Sequence, residues 1–166
     1  RLTATGVDMS EGMVAQARAK SWPEGVDLVV SDAVAHLESL PADSVDGILA
    51  CYLLRNVPDR ERLVREMARV LRPGGAVVIH DYSVKGSTRA RAIWAGICHG
   101  VIIPLAVVKG SDVPLHRYLY TSVRDFDSVA RICERLLGAG FVDVRHRTYA
   151  GWQRGVVHTV GGSSPS

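Results

Sequence analysis

Short apolar runs alternate with segments of helical periodicity along this chain, and the first two runs are each followed by an aspartate at the strand end. That alternation restricts the fold to a mostly parallel sheet with helices on both faces. Residues 2–7 read as a strand ending at Asp8, after which Ser10 caps a helix through about Lys20. Val26–Val30 is the second strand, closed by Asp32. Residues 45–50 form a third, largely apolar as a buried parallel strand requires. From Asp59, Leu63, Val64, Met67, Val70 and Leu71 recur at helical spacing with Arg and Glu between them. Arg72-Pro73-Gly74-Gly75 is expected to end that helix and lead into a strand over 76–79. Asp127 or Ser128 can cap a helix over 127–137, which Gly138 and Gly140 stop. Segments 141–147 and 155–160 read as a closing pair of strands, and no internal repeat is present.

The expectation is one α/β domain over 1–160, with a lid or insertion near 84–122 and a flexible tail at 161–166. The net charge of +3 and the lack of a long basic block argue against a nucleic-acid partner. Cys51, Cys98 and Cys133 are widely spaced and odd in number, which fits a reducing cytoplasm better than a disulfide framework. No His and Cys spacing suggests a metal site. Residues 92–108 carry no formal charge, but the run falls short of the about 20 residues of a membrane span and contains Gly96, His99, Gly100 and Pro104. It reads either as a buried or lid helix pair, or as a peripheral lipid-contacting surface flanked by Arg89, Arg91 and Lys109.

Ligands of open α/β sheets bind outside the carboxyl ends of the strands. Asp8, Asp32 and Cys51 mark three such ends. A carboxylate is an acceptor-only group, suited to both hydroxyls of a ribose at Asp8 and to an adenine amino group at Asp32 beside Ala33. The competing reading makes both aspartates strand-end or cap acids.

The chain resembles the class I S-adenosylmethionine-dependent methyltransferases, and within them the ubiquinone/menaquinone biosynthesis C-methyltransferases. The resemblance rests on Gly6-Val7-Asp8-Met9-Ser10-Glu11-Gly12-Met13, Ser31-Asp32-Ala33 and Leu54-Arg55-Asn56-Val57-Pro58-Asp59. It continues through Glu66 to Gly75, Tyr118-Leu119, Ser122-Val123, Phe126 and Ala139-Gly140-Phe141. It implies a Rossmann-like sheet, S-adenosyl-L-methionine as cofactor, and a small or prenylated aromatic acceptor such as a quinone precursor. It also implies cofactor contacts at Asp8, Met9, Asp32, Ala33 and Cys51. Tyr52-Leu53 stand where the family usually has Phe-Gly, and Gly151-Trp152-Gln153-Arg154 where it has Gly-Gly, so the acceptor pocket is expected to be reshaped.

Around the acceptor, Arg55, Asn56 and Asp81 are the catalytic candidates. Arg55 stays protonated and cannot be a base. It either orients water or stabilises a developing phenolate with Asn56, or forms an ion pair that fixes its loop. His80, His116 and Tyr118 are further candidates near the lid.

The chain begins at Arg1, and no glycine-rich strand-to-helix turn precedes Asp8. In the family that first strand lies between the strands ending at Asp8 and Cys51. An N-terminally incomplete methyltransferase is therefore expected, with those two edges lacking their shared neighbour and with weak cofactor binding by these residues alone. Two other classes stay open: a nicotinamide-dependent oxidoreductase with Asp8 on ribose, and a non-catalytic interaction module derived from a methyltransferase. The expected location is the cytoplasm, with peripheral membrane contact through 92–108. The sequence carries no signal for an oligomeric state.

Overall fold

A computed structural model describes residues 3–166. Leu2, expected to open the first strand, lies outside the described residues. Six strands and seven α-helices follow in the order β1 (Ala4–Asp8), α1 (Glu11–Arg18), β2 (Val26–Val30), α2 (Ala33–Ser39), β3 (Val45–Cys51), α3 (Arg60–Val70) and β4 (Leu71–Tyr82). After these come α4 (Thr88–Ile97), α5 (Ile103–Val108), α6 (Val113–Asp125), α7 (Val129–Gly138), β5 (Val142–Thr148) and β6 (Val157–Ser163).

The strands form two sheets. One pairs β1 and β2 in parallel, with Asp8 opposite Val30. The other has the order β3-β4-β6-β5, parallel between β3 and β4 and antiparallel thereafter. Among the described residues, β1 and β3 each have a strand neighbour on one side only. The strands ending at Asp8 and Cys51 thus each have one unpaired edge among the described residues, as β2 and β5 do.

Apolar periodicity builds the main core. Helix α3 turns Leu63, Val64, Met67 and Val70 inward and keeps its charges outside. Each such side chain contributes roughly 1.5–3 kcal/mol on burial. They meet Leu54, Val77, Ile79, Phe126, Ile132, Leu136 and Phe141 in one cluster. Asp59, Ser128 and Asp32 cap α3, α7 and α2 by accepting amide hydrogen bonds, so Ser128 rather than Asp127 starts α7.

Several expectations are corrected. Helix α3 stops at Val70 without a separate turn, and Arg72-Pro73-Gly74-Gly75 lies inside the long strand β4. Gly75 is required there, because a Cβ would sit 2.8 Å from the Arg72 carbonyl and 3.1 Å from that of Asp46. Residues 161–163 are not a loose tail but the end of β6, between β4 and β5. Gly161 and Gly162 serve close strand approach there, since a Cβ on Gly162 would lie 3.2 Å from Val144 and 3.3 Å from the Val142 carbonyl. Ser164 continues the pairing by donating to the Gly75 carbonyl at 2.8 Å.

The segment after β4 is helical. Thr88–Val108 runs as one 21-residue helix, with a mean hydropathy of 1.7 over an 18-residue window, long and apolar enough to cross a membrane. A wide π turn at Cys98–Ile102 joins α4 to α5 just before Pro104, which lacks the N–H that a regular turn would need. Ala90, Trp94, Cys98 and Ala106 are its buried residues, and the first three pack with Val84, Val123, Val156 and Val157 in a second cluster.

Candidate functional site

The carboxyl ends of the parallel strands carry two groups of polar side chains. Asp8 and Asp32 belong to the first, on β1 and after β2. Asp8 Oδ1 accepts from the Ser10 N–H at 2.8 Å, and its backbone carbonyl accepts from the Ser31 N–H at 3.1 Å. Asp32 Oδ1 accepts from the N–H groups of Val34 and Ala35 at 2.9 and 3.0 Å. Both are thus cap or turn acids, as the plainer reading held, yet each keeps Oδ2 without a partner among the described residues. Both aspartates and Met9 are exposed at the same strand ends, and Ala33 opens α2 beside Asp32. Free carboxylate oxygens on adjacent parallel strands fit the hydroxyl and amino donors of an adenosine group. Cys51 is exposed at the end of β3.

The second group gathers where β3 and β4 end. Arg55 lies in a short 3-10 turn, Leu54–Asn56, directly after β3. Its guanidinium meets Asp81 on β4, with Nη1 to Oδ1 at 2.7 Å and both side chains almost wholly buried. Asp81 also accepts from the backbone N–H of Tyr82 at 2.8 Å and, weakly, of Arg55 at 3.4 Å. Burial raises the Asp81 carboxyl above the usual range, against the opposing pull of Arg55 and these hydrogen bonds. Arg55 Nε is buried without a partner among the described residues. Asn56 Oδ1 accepts from the Tyr118 hydroxyl of α6 at 3.0 Å, which ties the turn to the helical segment.

Tyr52 organises this turn. Its φ of 54° places a non-glycine residue in the left-handed region, which costs on the order of 1 kcal/mol and persists only where surrounding contacts hold it. Those contacts are present. The Tyr52 carbonyl accepts from Arg55 Nη1 at 3.1 Å and from Asn56 Nδ2 at 2.9 Å. The Tyr52 ring stacks on Tyr82 with centroids 5.1 Å apart, and the Arg55 guanidinium lies 5.5 and 5.8 Å from the two ring centres. Tyr82 in turn packs against Trp94 of α4.

The three catalytic candidates therefore converge, Arg55 on Asp81 and Asn56 on the Tyr52 carbonyl. His80 joins them through Tyr52, whereas His116 is engaged locally with the Asp112 carbonyl. Sequence reasoning passed over Tyr52 as a functional residue and had Tyr82, Tyr149 and Thr159 nowhere. The departure Tyr52-Leu53 was the available signal for the first. The others come from pairing β4 with β6, which no local pattern reveals.

Comparison with known proteins bears on the family. Residues 2–79 match the model described as a methyltransferase domain. The ubiquinone/menaquinone biosynthesis C-methyltransferase of Geobacter sulfurreducens is 34% identical over 146 residues, covering 86% of this chain and 56% of that protein. The demethylmenaquinone methyltransferase of Mycolicibacterium paratuberculosis is 32% identical over 146 residues, covering 87% and 60%. The chain thus spans less than two thirds of the length of either relative. The fold is similar to that of an Archaeoglobus fulgidus methyltransferase described as SAM-dependent, with a TM-score of 0.67 at 14% identity over 96% of this chain and 75% of that one. It is also similar to phosphoethanolamine N-methyltransferase 2 of Haemonchus contortus, solved with S-adenosylhomocysteine, with a TM-score of 0.69 at 16% identity over 99% and 44%. Over residues 2–79 the chain thus matches a methyltransferase domain, and its fold is similar to that of methyltransferases.

Proposed function

We propose that this domain transfers a methyl group from S-adenosylmethionine to a small or lipid-tailed aromatic acceptor of the quinone-precursor kind. The observation that carries the reading is that the carboxyl ends of both parallel pairs carry polar groups: exposed carboxylates on β1 and after β2, and an aromatic, charge-paired cluster where β3 and β4 end. The named roles of the quinone-pathway relatives support the acceptor class.

When bound, S-adenosylmethionine supplies an electrophilic sulfonium methyl. Asp8 would accept from the ribose hydroxyls, with Met9 beside it, and Asp32 and Ala33 would serve the adenine side. Cys51 would face the middle of the cofactor. Tyr52 and Tyr82 would hold a flat acceptor, since aligning acceptor and methyl is the larger part of the catalysis. Arg55, held by Asp81, would place positive charge near a developing phenolate, and Asn56 would fix the turn.

The helix Thr88–Val108 would rest on a lipid surface. Its outer side carries Val101, Leu105, Val107 and Val108, each more than half exposed, with Leu115 on α6 as exposed. Arg89, Arg91 and Lys109 flank the stretch, as an anionic membrane surface would favour. A cytoplasmic, peripherally membrane-associated protein follows from this reading. Transfer of isotope-labelled methyl from S-adenosylmethionine to prenylated and unprenylated dihydroxyaromatic acceptors tests the function. Labelling of neither, by a protein shown to bind S-adenosylhomocysteine, would overturn the acceptor class.

A further inference from the structure

A hydrogen-bonded series of side chains crosses the sheet beside the acceptor cluster. The Tyr52 hydroxyl lies 3.3 Å from His80 Nε2, and His80 Nδ1 lies 2.9 Å from Thr159 Oγ1 on β6. Thr159 Oγ1 is 3.0 Å from the hydroxyl of Tyr149, whose ring also meets His80 edge-on at 5.7 Å. Tyr52 and Tyr149 are exposed, so the series opens to solvent at both ends. None of these contacts is needed to hold Arg55 or Asp81.

We propose that Tyr52 and His80 form a proton relay that serves an acceptor bearing an ionisable hydroxyl, deepening the methyltransferase reading on which it rests. In the relay the O–H bond of the acceptor breaks and its proton passes to the Tyr52 hydroxyl oxygen. Tyr52 releases its own proton to His80 Nε2. The acceptor is left as an oxyanion with its electron pair available to attack a methyl group, and His80 as an imidazolium. Thr159 accepts from His80 Nδ1–H, which keeps Nε2 free as the acceptor before the step. The imidazolium afterwards loses its proton to water.

The surroundings suit this direction. Burial and the neighbouring Tyr82 raise the Tyr52 phenol, so Tyr52 stays protonated and donates to His80. The groups facing His80 are Cys51 at the end of β3 and Tyr52 just after it, Thr159 from β6, Tyr149 after β5, and Tyr82 on its own strand. Asp81 is adjacent in sequence but its carboxylate is committed to Arg55 and to the Tyr82 N–H. No carboxylate among the described residues therefore pairs with His80, which leaves its proton free to move. The left-handed backbone at Tyr52 has a use in this scheme: it directs the ring across β4 while its carbonyl anchors Arg55 and Asn56.

The test uses 4-nitrophenol, whose ionised form is coloured, titrated with the protein across pH in the presence of S-adenosylhomocysteine. Bound probe is expected to ionise about one pH unit below free probe, because its proton is taken up at His80. Tyr52→Phe and His80→Gln should each return the midpoint to that of free probe. Tyr52→Phe keeps the ring stacking, so it remains decisive if His80→Gln melts. An unshifted midpoint in the unaltered protein, or a shift unaffected by Tyr52→Phe, overturns the relay. Calorimetry with S-adenosylhomocysteine separates the two claims. A probe shift that depends on both residues, with no cofactor binding even when the chain is extended by a relative's upstream segment, would sink the methyltransferase reading and keep the hydroxyl site. Cofactor binding without a shift would do the reverse.

Discussion

Arg55 and Asp81, 26 positions apart, form a buried ion pair at 2.7 Å that ties the turn after β3 to the end of β4. The pair holds together the two strand ends that carry the aromatic cluster. It reconciles both readings of Arg55, because a guanidinium held by Asp81 fixes the loop and still brings a positive charge to the acceptor edge.

Asp81→Asn should therefore damage the fold as well as the site. It leaves the Arg55 charge buried without a counter-ion, at a cost of about 3–5 kcal/mol. Thermal unfolding should shift down by roughly 6–20 °C for a chain of this size. Combining Asp81→Asn with Arg55→Met should recover part of that loss, and a double-mutant cycle without coupling would count against the pair.

His158 supplies a pH dependence. It is buried on β6 with Nδ1 unpartnered among the described residues, and burial lowers its pKa from 6.5. The unfolded chain takes up this proton near ~6.5 while the folded chain resists it. Its contribution is complete above that value and is lost as pH falls through the folded pKa. Melting temperatures between pH 7 and 5 should decline less in His158→Gln than in the unaltered protein; equal slopes would show that other groups set the decline.

The apolar outer side of Thr88–Val108 predicts lipid association. Val107→Asp with Val108→Asp should weaken sedimentation with anionic vesicles by at least about tenfold without lowering the melting temperature, as both side chains lie outside the buried stripe. Unchanged sedimentation would assign the surface to something other than lipid.

Much of the layout was legible from residue patterns. The alternation of strands and helices, a cap at Asp127 or Ser128 and the placing of Asp8, Asp32 and Cys51 at strand ends all follow from local chemistry. The β6 end did not, because Gly161 and Gly162 look flexible in a one-dimensional reading and become close-packing residues only once β4 and β5 flank them. The tyrosine cluster was hidden for the same reason: Tyr52, Tyr82, Tyr149 and Thr159 meet only through the β3-β4-β6-β5 pairing. The Tyr52 backbone is a case where propensity gives way to the site, since three polar contacts outweigh the strain of one residue.

The unpaired edges of β1 and β3 bear on cofactor affinity, since a strand between them would carry a glycine-rich turn to the same edge as Asp8. The most direct measurement is calorimetric titration of S-adenosylhomocysteine into this chain and into a chimera with the upstream segment of the Geobacter sulfurreducens relative joined before Arg1. The account predicts strong binding by the chimera, weak binding by the chain alone, and at least about a tenfold loss in the chimera on Asp8→Ala, where hydrogen bonds to a charged acceptor disappear. No binding by the chimera, or binding indifferent to Asp8→Ala, would contradict it.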